Sequence, residues 1–397
     1  MISHRLTASA LAICVSATAL TAHHFYGPYP VTLKGYSGDK TNSVSYGGQI
    51  ARQTMEQSLK KLASTGNGGG NAADVEAQMM QYFSGPTKDL AILSPASKDG
   101  FKIKQTTIGE LSSSANLEGK FYKGLMPAWP GNHTGVDVMK DMISRAAKSN
   151  KGFDAENGYD YAQLISKFTM GAVQYSQAVD NYLDEKMTAD VKPNDAPYKE
   201  GKHYTGKEHS WDEGFGYFGA PAHTLALTPA AAYDIAKRKD MASADKNGDG
   251  VVDLKSEMVF GPAYYAAAFD KSGNTSYLAS IMQAYIDGRK VISGAKGEKL
   301  STTELAVIKG HAATIEENWE KVLAEAVFKY AGSVYKDIAA MKENGVDDKS
   351  YRKYVKHWGE LAGFSMAIQS RWFSVDWKCW DKRYNLSCIF ITSMVEF

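Results

Sequence analysis

Apolar residues recur every three to four positions over most of this chain, a spacing that predicts helices. In Val44–Ala63 the apolar positions are Ile50, Met55, Leu59 and Leu62. Asp74–Phe83 predicts a shorter helix, which Ser84-Gly85-Pro86 stops. Residues 84–135 lack the periodicity and are rich in Gly, Pro, Ser and Lys, so they are expected to be irregular and partly wrapped around the body. Helix resumes at 136–149. The longest unbroken candidate is Asp160–Met187, where Leu164, Phe168, Ala172, Tyr175, Val179 and Leu183 mark one apolar stripe. Thr314–Met341 has the same character, and no comparable run alternates with period two. The expected fold class is therefore all-α.

A second pattern lies on top of the first. Trp211-Asp212-Glu213-Gly214-Phe215-Gly216-Tyr217 and Trp358-Gly359-Glu360-Leu361-Ala362-Gly363-Phe364 both read Trp-x-Glu-x-x-Gly-aromatic, and each follows a histidine, His209 or His357. The fragments Ala172–Tyr175 and Ala326–Tyr330 are loosely alike and precede the two elements in the same order. This predicts two similar helical-bundle units from an internal duplication. The first unit is expected over 23–227, with an irregular N-terminal part, and the second over 228–371. On a helix His209 and Glu213 stand at i and i+4, and His357 and Glu360 at i and i+3, so each pair can point into one space. Imidazole plus carboxylate suits iron or zinc. His209, Asp212, Glu213, His357 and Glu360 are thus candidate transition-metal ligands, expected to face a common interior. The plainer reading makes the aromatics core residues and the glutamates buried acids that find helix ends or tyrosines.

The sharpest local motif runs from Asp245 to Glu257. Asp245, Asn247, Asp249 and Asp253 occupy positions 1, 3, 5 and 9 of an EF-hand-like loop, with Gly250 at position 6 for the sharp turn. Val251 and Glu257 complete the candidate calcium ligands, although Glu257 stands one place beyond position 12, which is Ser256. A helix over Pro229–Ala242 is expected to lead into the loop. In an exported protein calcium would serve as a structural clip rather than a switch.

Export is expected from the N-terminus. His4 and Arg5 precede a mostly apolar run, Leu6–Leu20, and Ala17, Ala19 and Ala22 are candidate cleavage positions, so residues 1–22 read as a signal peptide. Leu11-Ala12-Ile13-Cys14 loosely resembles a lipoprotein processing site, leaving a periplasmic or a lipid-anchored outer-membrane location open. Beyond this run no apolar stretch is long enough to span a bilayer. Of three cysteines, Cys379 and Cys388 remain, both in the segment 372–397, which has three of the seven tryptophans, no helical repeat and an atypical look. Lys+Arg 45 against Asp+Glu 44 gives no basic field and excludes nucleic acid as the expected partner.

There is no Gly-x-Ser-x-Gly, no His-Glu-x-x-His and no phosphate loop, and Gly66–Gly70 lacks a following Lys-Ser/Thr, so it reads as a flexible surface connection. The chain is expected to be a binding protein rather than an enzyme.

Ser45–Arg52, Lys88–Leu93, His209–Gly219, the Asp-rich loop ending Asp253–Glu257, and His357–Glu360 together resemble an uncharacterised family of exported Gram-negative bacterial proteins. That family is distantly similar to the imelysins, two-bundle helical proteins tied to iron uptake, and the resemblance covers roughly residues 28–370. It implies metal binding at a Gly-x-His-x-x-Glu signature. His357-Trp358-Gly359-Glu360 supplies His-x-x-Glu, with Val355 in place of the glycine, and His209 is followed three residues on by Asp212. The leading expectation is an exported protein that takes a metal ion or metal complex, iron or another metal, and serves an outer-membrane uptake system. Its competitors are a zinc-dependent, peptidase-like hydrolase and a calcium-stabilised interaction module without a small ligand.

Overall fold

Twelve helical segments account for most of the computed structural model, which describes residues 25–98, 100–127 and 129–372. The expected signal peptide and the atypical tail after Trp372, with its cysteines, lie outside the described residues. The first helices, α1 (Gly47–Ala63) and α2 (Ala72–Phe83), form where the periodicity predicts them. The irregular stretch that follows contains one turn of helix, α3 (Ile108–Leu111), and ends at α4 (Gly135–Lys148), whose capping box pairs Thr134 with Asp137. Gly66 is held rather than loose: a Cβ there would lie 2.4 Å from the Ser149 carbonyl oxygen.

The long central helix opens as α5 (Tyr161–Thr169), capped by Asp160. It then widens into π-helical turns at Met170–Tyr175 and Gln177–Asp184 and closes with a 3₁₀ turn at Glu185–Met187. A period of 3.6 cannot announce that widening, because the apolar stripe stays on one face through it.

Next come α6 (Gly206–Phe218), ended by Gly219 in the left-handed region, then α7 (Pro229–Ala236) and α8 (Met241–Ala244). The single helix expected over Pro229–Ala242 is therefore broken. Arg238 takes φ +56° and Asp240 starts a new turn by accepting from the Ser243 N–H, so local capping overrides the apolar periodicity. After the Asp-rich loop stand α9 (Gly261–Asp270) and α10 (Tyr277–Gly294). The 43-residue α11 (Thr302–Asn344) turns at Gly345 into α12 (Asp348–Trp372).

Among the described residues strand content is confined to short pairs and isolated bridges. β1 (Lys102–Ile103) runs parallel to β4 (Val251–Val252), and β2 (Phe153–Asp154) pairs antiparallel with β3 (Tyr159–Asp160). The first pair ties the irregular stretch to the Asp-rich loop.

One apolar cluster runs from Tyr26 to Met366 with no break near residue 227. Within it α12 lies along α5 and the first π stretch, α11 lies between α10 and α12, and α1 touches both α5 and α6. The crossing of α12 with the first π stretch is close because Gly171 has no side chain: a Cβ would stand 2.2 Å from the Ala367 carbonyl oxygen. Met170, next to this crossing, lines the larger hollow described below.

Candidate functional site

The two Trp-x-Glu-x-x-Gly-aromatic elements stand on α6 and α12 in different surroundings. Thr205 and Glu208 form the capping box that starts α6, and the second carboxylate oxygen of Glu208 points at Arg289 of α10, 3.2 Å from Nη1. One turn later Asp212 is also taken up by Arg289. Its Oδ1 accepts from Arg289 Nε at 2.9 Å and from Tyr26 Oη at 2.7 Å, and its Oδ2 accepts from the Ser45 N–H at 3.0 Å. The guanidinium and both carboxylates are wholly buried, so each charge requires the other. Asp212, a candidate metal ligand by spacing, is thus a structural acid.

His209 and Glu213 face the other way. Their closest approach is 3.7 Å, from Nε2 to Oε1. The imidazole is stacked on Tyr204 with ring centroids 4.3 Å apart and meets Tyr198 edge-on at 4.3 Å. Burial lowers its pKa from 6.5 to about 4, so it is neutral. Glu213 accepts from Gln49 Nε2 at 2.9 Å and from Tyr198 Oη at 3.3 Å.

His357 and Glu360 line a cleft of about 500 Å³ between α1, α5, α7, α9, α11 and α12. His209 and Glu213 do not line it, so the common interior expected for the two pairs is not formed. The reason is that α6 is fastened to α10 through Arg289 and to α1 through Gln49, which turns its second face away from α12. At the cleft His357 Nδ1 stands 2.5 Å from Asp337 Oδ2, whose other oxygen holds Lys353 at 2.8 Å. Glu360 accepts from Tyr330 Oη at 3.2 Å, and Tyr330 and Tyr265 are themselves 3.2 Å apart at their hydroxyls.

Cations surround this opening. Lys60, Lys237, Arg238, Lys329 and Lys356 line it, and Tyr233, Tyr264 and Tyr265 add ring faces. Its acids are Glu56 and Glu360. A second hollow of about 400 Å³ shares Gln57, Lys60, Ser94, Gln163 and Arg238 with the first and adds Lys61, Lys151 and Arg352. The two form one groove. Arg352 is already paired, 2.8 Å from Asp160.

The groove floor holds two groups that the apolar pattern hides. Lys167 of α5 is 4% exposed, and Glu56 of α1 is 2% exposed. Lys167 lies on the buried side of α5 between Leu164 and Phe168, where a lysine is out of keeping with the stripe. That mismatch was the signal available in the sequence. No such signal marks Arg289, since Gly288-Arg289-Lys290 looks like an exposed turn of α10.

In the Asp-rich loop Gly248 and Gly250 both take positive φ, 73° and 77°, as the motif requires. Asp245 accepts from the N–H groups of Gly248, Asp249 and Gly250, and Asn247 donates to Asp249 at 2.9 Å. Asp249 accepts from the Val251 N–H, and Val251 pairs with Lys102 across β1 and β4. Asp253 is drawn to Lys104 at 2.9 Å and Gln105 at 2.8 Å. Glu257 closes the loop by accepting from the N–H groups of Lys246 and Asp253. Among the described residues no three His, Cys, Asp or Glu side chains are gathered as metal ligands.

A family model described as a domain of unknown function (DUF4856) matches residues 35–324. No curated protein and no solved structure matches the chain.

Proposed function

The chain belongs to the DUF4856 family, and from that premise and the chemistry of its groove we propose an exported binding protein for a small anionic ligand. Metal acquisition enters this reading as capture of an anionic metal chelate rather than of a bare ion. The carrying observation is the cleft itself: about 500 Å³, ligand-sized, with lysines and an arginine outnumbering its acids and tyrosine rings on its walls. A hollow of one sign with low-dielectric walls concentrates oppositely charged solutes, raising association rates by ~10- to 1,000-fold. A bare ion is less well served. Each His/Glu pair offers two donors; Asp337 takes up His357, Tyr330 takes up Glu360, and Gln49 and Tyr198 take up Glu213. The same shortage of a third ligand leaves the zinc-hydrolase reading without support.

Two further parts of the reading concern architecture. The duplication is supported by two parallels: Gly216 lies against Tyr46 and Gln49 at the start of α1 as Gly363 lies against Leu164 and Lys167 of α5, and both motif glutamates accept a tyrosine hydroxyl. The distant kinship to imelysins rests on that two-unit plan. Calcium in the Asp245–Glu257 loop would act as a clip joining the irregular stretch to α9. To complete its donor set it must draw Asp253 from Lys104.

Titration calorimetry with citrate, ferric citrate and zinc chloride tests the assignment. Citrate and its ferric complex should both bind, more weakly as salt rises, and Lys329→Glu with Lys356→Glu should weaken them about tenfold. Both lysines are exposed, so the fold is spared. Tight stoichiometric zinc binding with no citrate binding would overturn the proposal.

A further inference from the structure

The floor of the groove carries a lysine that no carboxylate neutralises. Lys167 is buried, yet among the described residues no carboxylate lies within ion-pair distance of its amine. Its described hydrogen-bond partner is the hydroxyl of Ser166, at 3.3 Å. The amine also stands beside Lys60 and over two ring faces, Tyr265 at 5.4 Å and Phe364 at 6.0 Å. An ammonium has three N–H donors to satisfy; the ring faces favour the cation, whereas burial beside Lys60 without a paired carboxylate disfavours it. Burial indeed pushes Lys167 well below the ordinary lysine range, with Lys60 adding to it and Glu360 and Glu56 opposing.

Glu56 is the complementary group. It lines the same cleft, one of its oxygens, Oε1, has no hydrogen-bond partner, and it is linked to Ser166, so the hydroxyl stands between the acid and the amine. Burial raises its pKa, against the pull of Ser166, Lys60 and Lys167. The second motif sets the spacing: Gly363 leaves room for the Lys167 stem, since a Cβ there would stand 2.7 Å from Lys167 Cβ. Tyr265 and Tyr330 supply hydroxyls on the opposite wall.

We propose that Lys167 is a nucleophilic amine that forms a reversible imine with an aldehyde or keto group of an anionic ligand, with Glu56 and Ser166 handling the protons. The ligand class follows from the anion-binding reading, on which this inference rests for the charge but not for the amine. The lone pair of Nζ attacks the carbonyl carbon and gives a carbinolamine. The oxygen then leaves as water, carrying two hydrogens that originate on the amine, one passed through Ser166 and Glu56. A C=N bond replaces C=O, and no oxidant or reductant is needed. A desolvated lysine in a partly apolar pocket is the usual way such an amine is activated at neutral pH.

Glyoxylate with sodium cyanoborohydride, followed by peptide mass mapping of the purified protein at pH 7.5, reads the imine directly. Lys167 should gain a carboxymethyl group at least tenfold faster than the exposed Lys329 and Lys356, and citrate should slow it. Lys167→Arg should remove that one adduct, with circular dichroism verifying the fold; the wild-type map decides even where the variant does not fold. Adducts spread over the exposed lysines with Lys167 unmodified would overturn the imine. If citrate still bound, the anion-binding reading would survive that failure. Fast Lys167 labelling without citrate binding would sink the anion reading and leave the amine.

Discussion

His209 is a histidine that gains nothing from acid. Its pKa falls from 6.5 to about 4 because burial between Tyr198 and Tyr204 disfavours the charged ring. Between those values the unfolded chain binds a proton that the native chain does not. The stabilisation is therefore complete above about pH 6.5 and is lost as pH falls toward 4. Replacing the ring with an aliphatic side chain, His209→Leu, should flatten the dependence of unfolding free energy on pH in that window by about 1 kcal/mol per pH unit, read by urea denaturation at several pH values. Asp212 titrates with the opposite sign, since burial raises it from 3.8 to about 6 against the pull of Arg289. It is present in both proteins and cancels in their difference. An unchanged slope would mean that the ring is solvated.

Among the elements, the long central helix governs the groove. Its π-helical turns begin immediately after the turn that carries Lys167, and Gly171 in the first of them lets α12 approach. Gly171→Ala should force the two helices apart, costing ~1–3 kcal/mol in unfolding free energy and displacing His357 and Glu360 from the cleft. A crystal structure of the variant with α12 unmoved would contradict this account. The Asp-rich loop makes a separate prediction. If calcium clips it, a chelator should lower the melting temperature and Asp249→Ala should reproduce most of the loss. A ligand that binds only the native state at a hundredfold excess over Kd contributes about 2.7 kcal/mol. The same melting temperature with and without chelator would remove calcium from the reading.

At the scale of the whole molecule, the family match ends at residue 324, inside α11, whereas the core and the groove continue through α12. Val355, Leu361, Phe364, Met366 and Ala367 are all buried there. A chain ending at Gly345 should expose the facing sides of α5 and α11. It is expected to lose cooperative unfolding and to aggregate, as seen by thermal circular dichroism and size-exclusion chromatography. A folded, monomeric truncation would show that α12 is an accessory to the core.

Periodicity and turn chemistry are local, and what they govern was legible in the chain: α1, α4, α11, the start of the central helix and the glycine-bearing turns of the Asp-rich loop. The helical spacing of each His/carboxylate pair was legible too, because i and i+3 or i+4 positions share a face whatever surrounds them. Which partners those faces meet is a matter of long-range packing. Asp212 meets Arg289, 77 positions away, and Glu360 meets Tyr330 on another helix. Lys167 and Glu56 come from α5 and α1 and gain their chemistry only when the fold strips water from both. Desolvation depends on every surrounding element at once, so only the tertiary structure could decide that the pKa of this lysine falls and that it lines the groove.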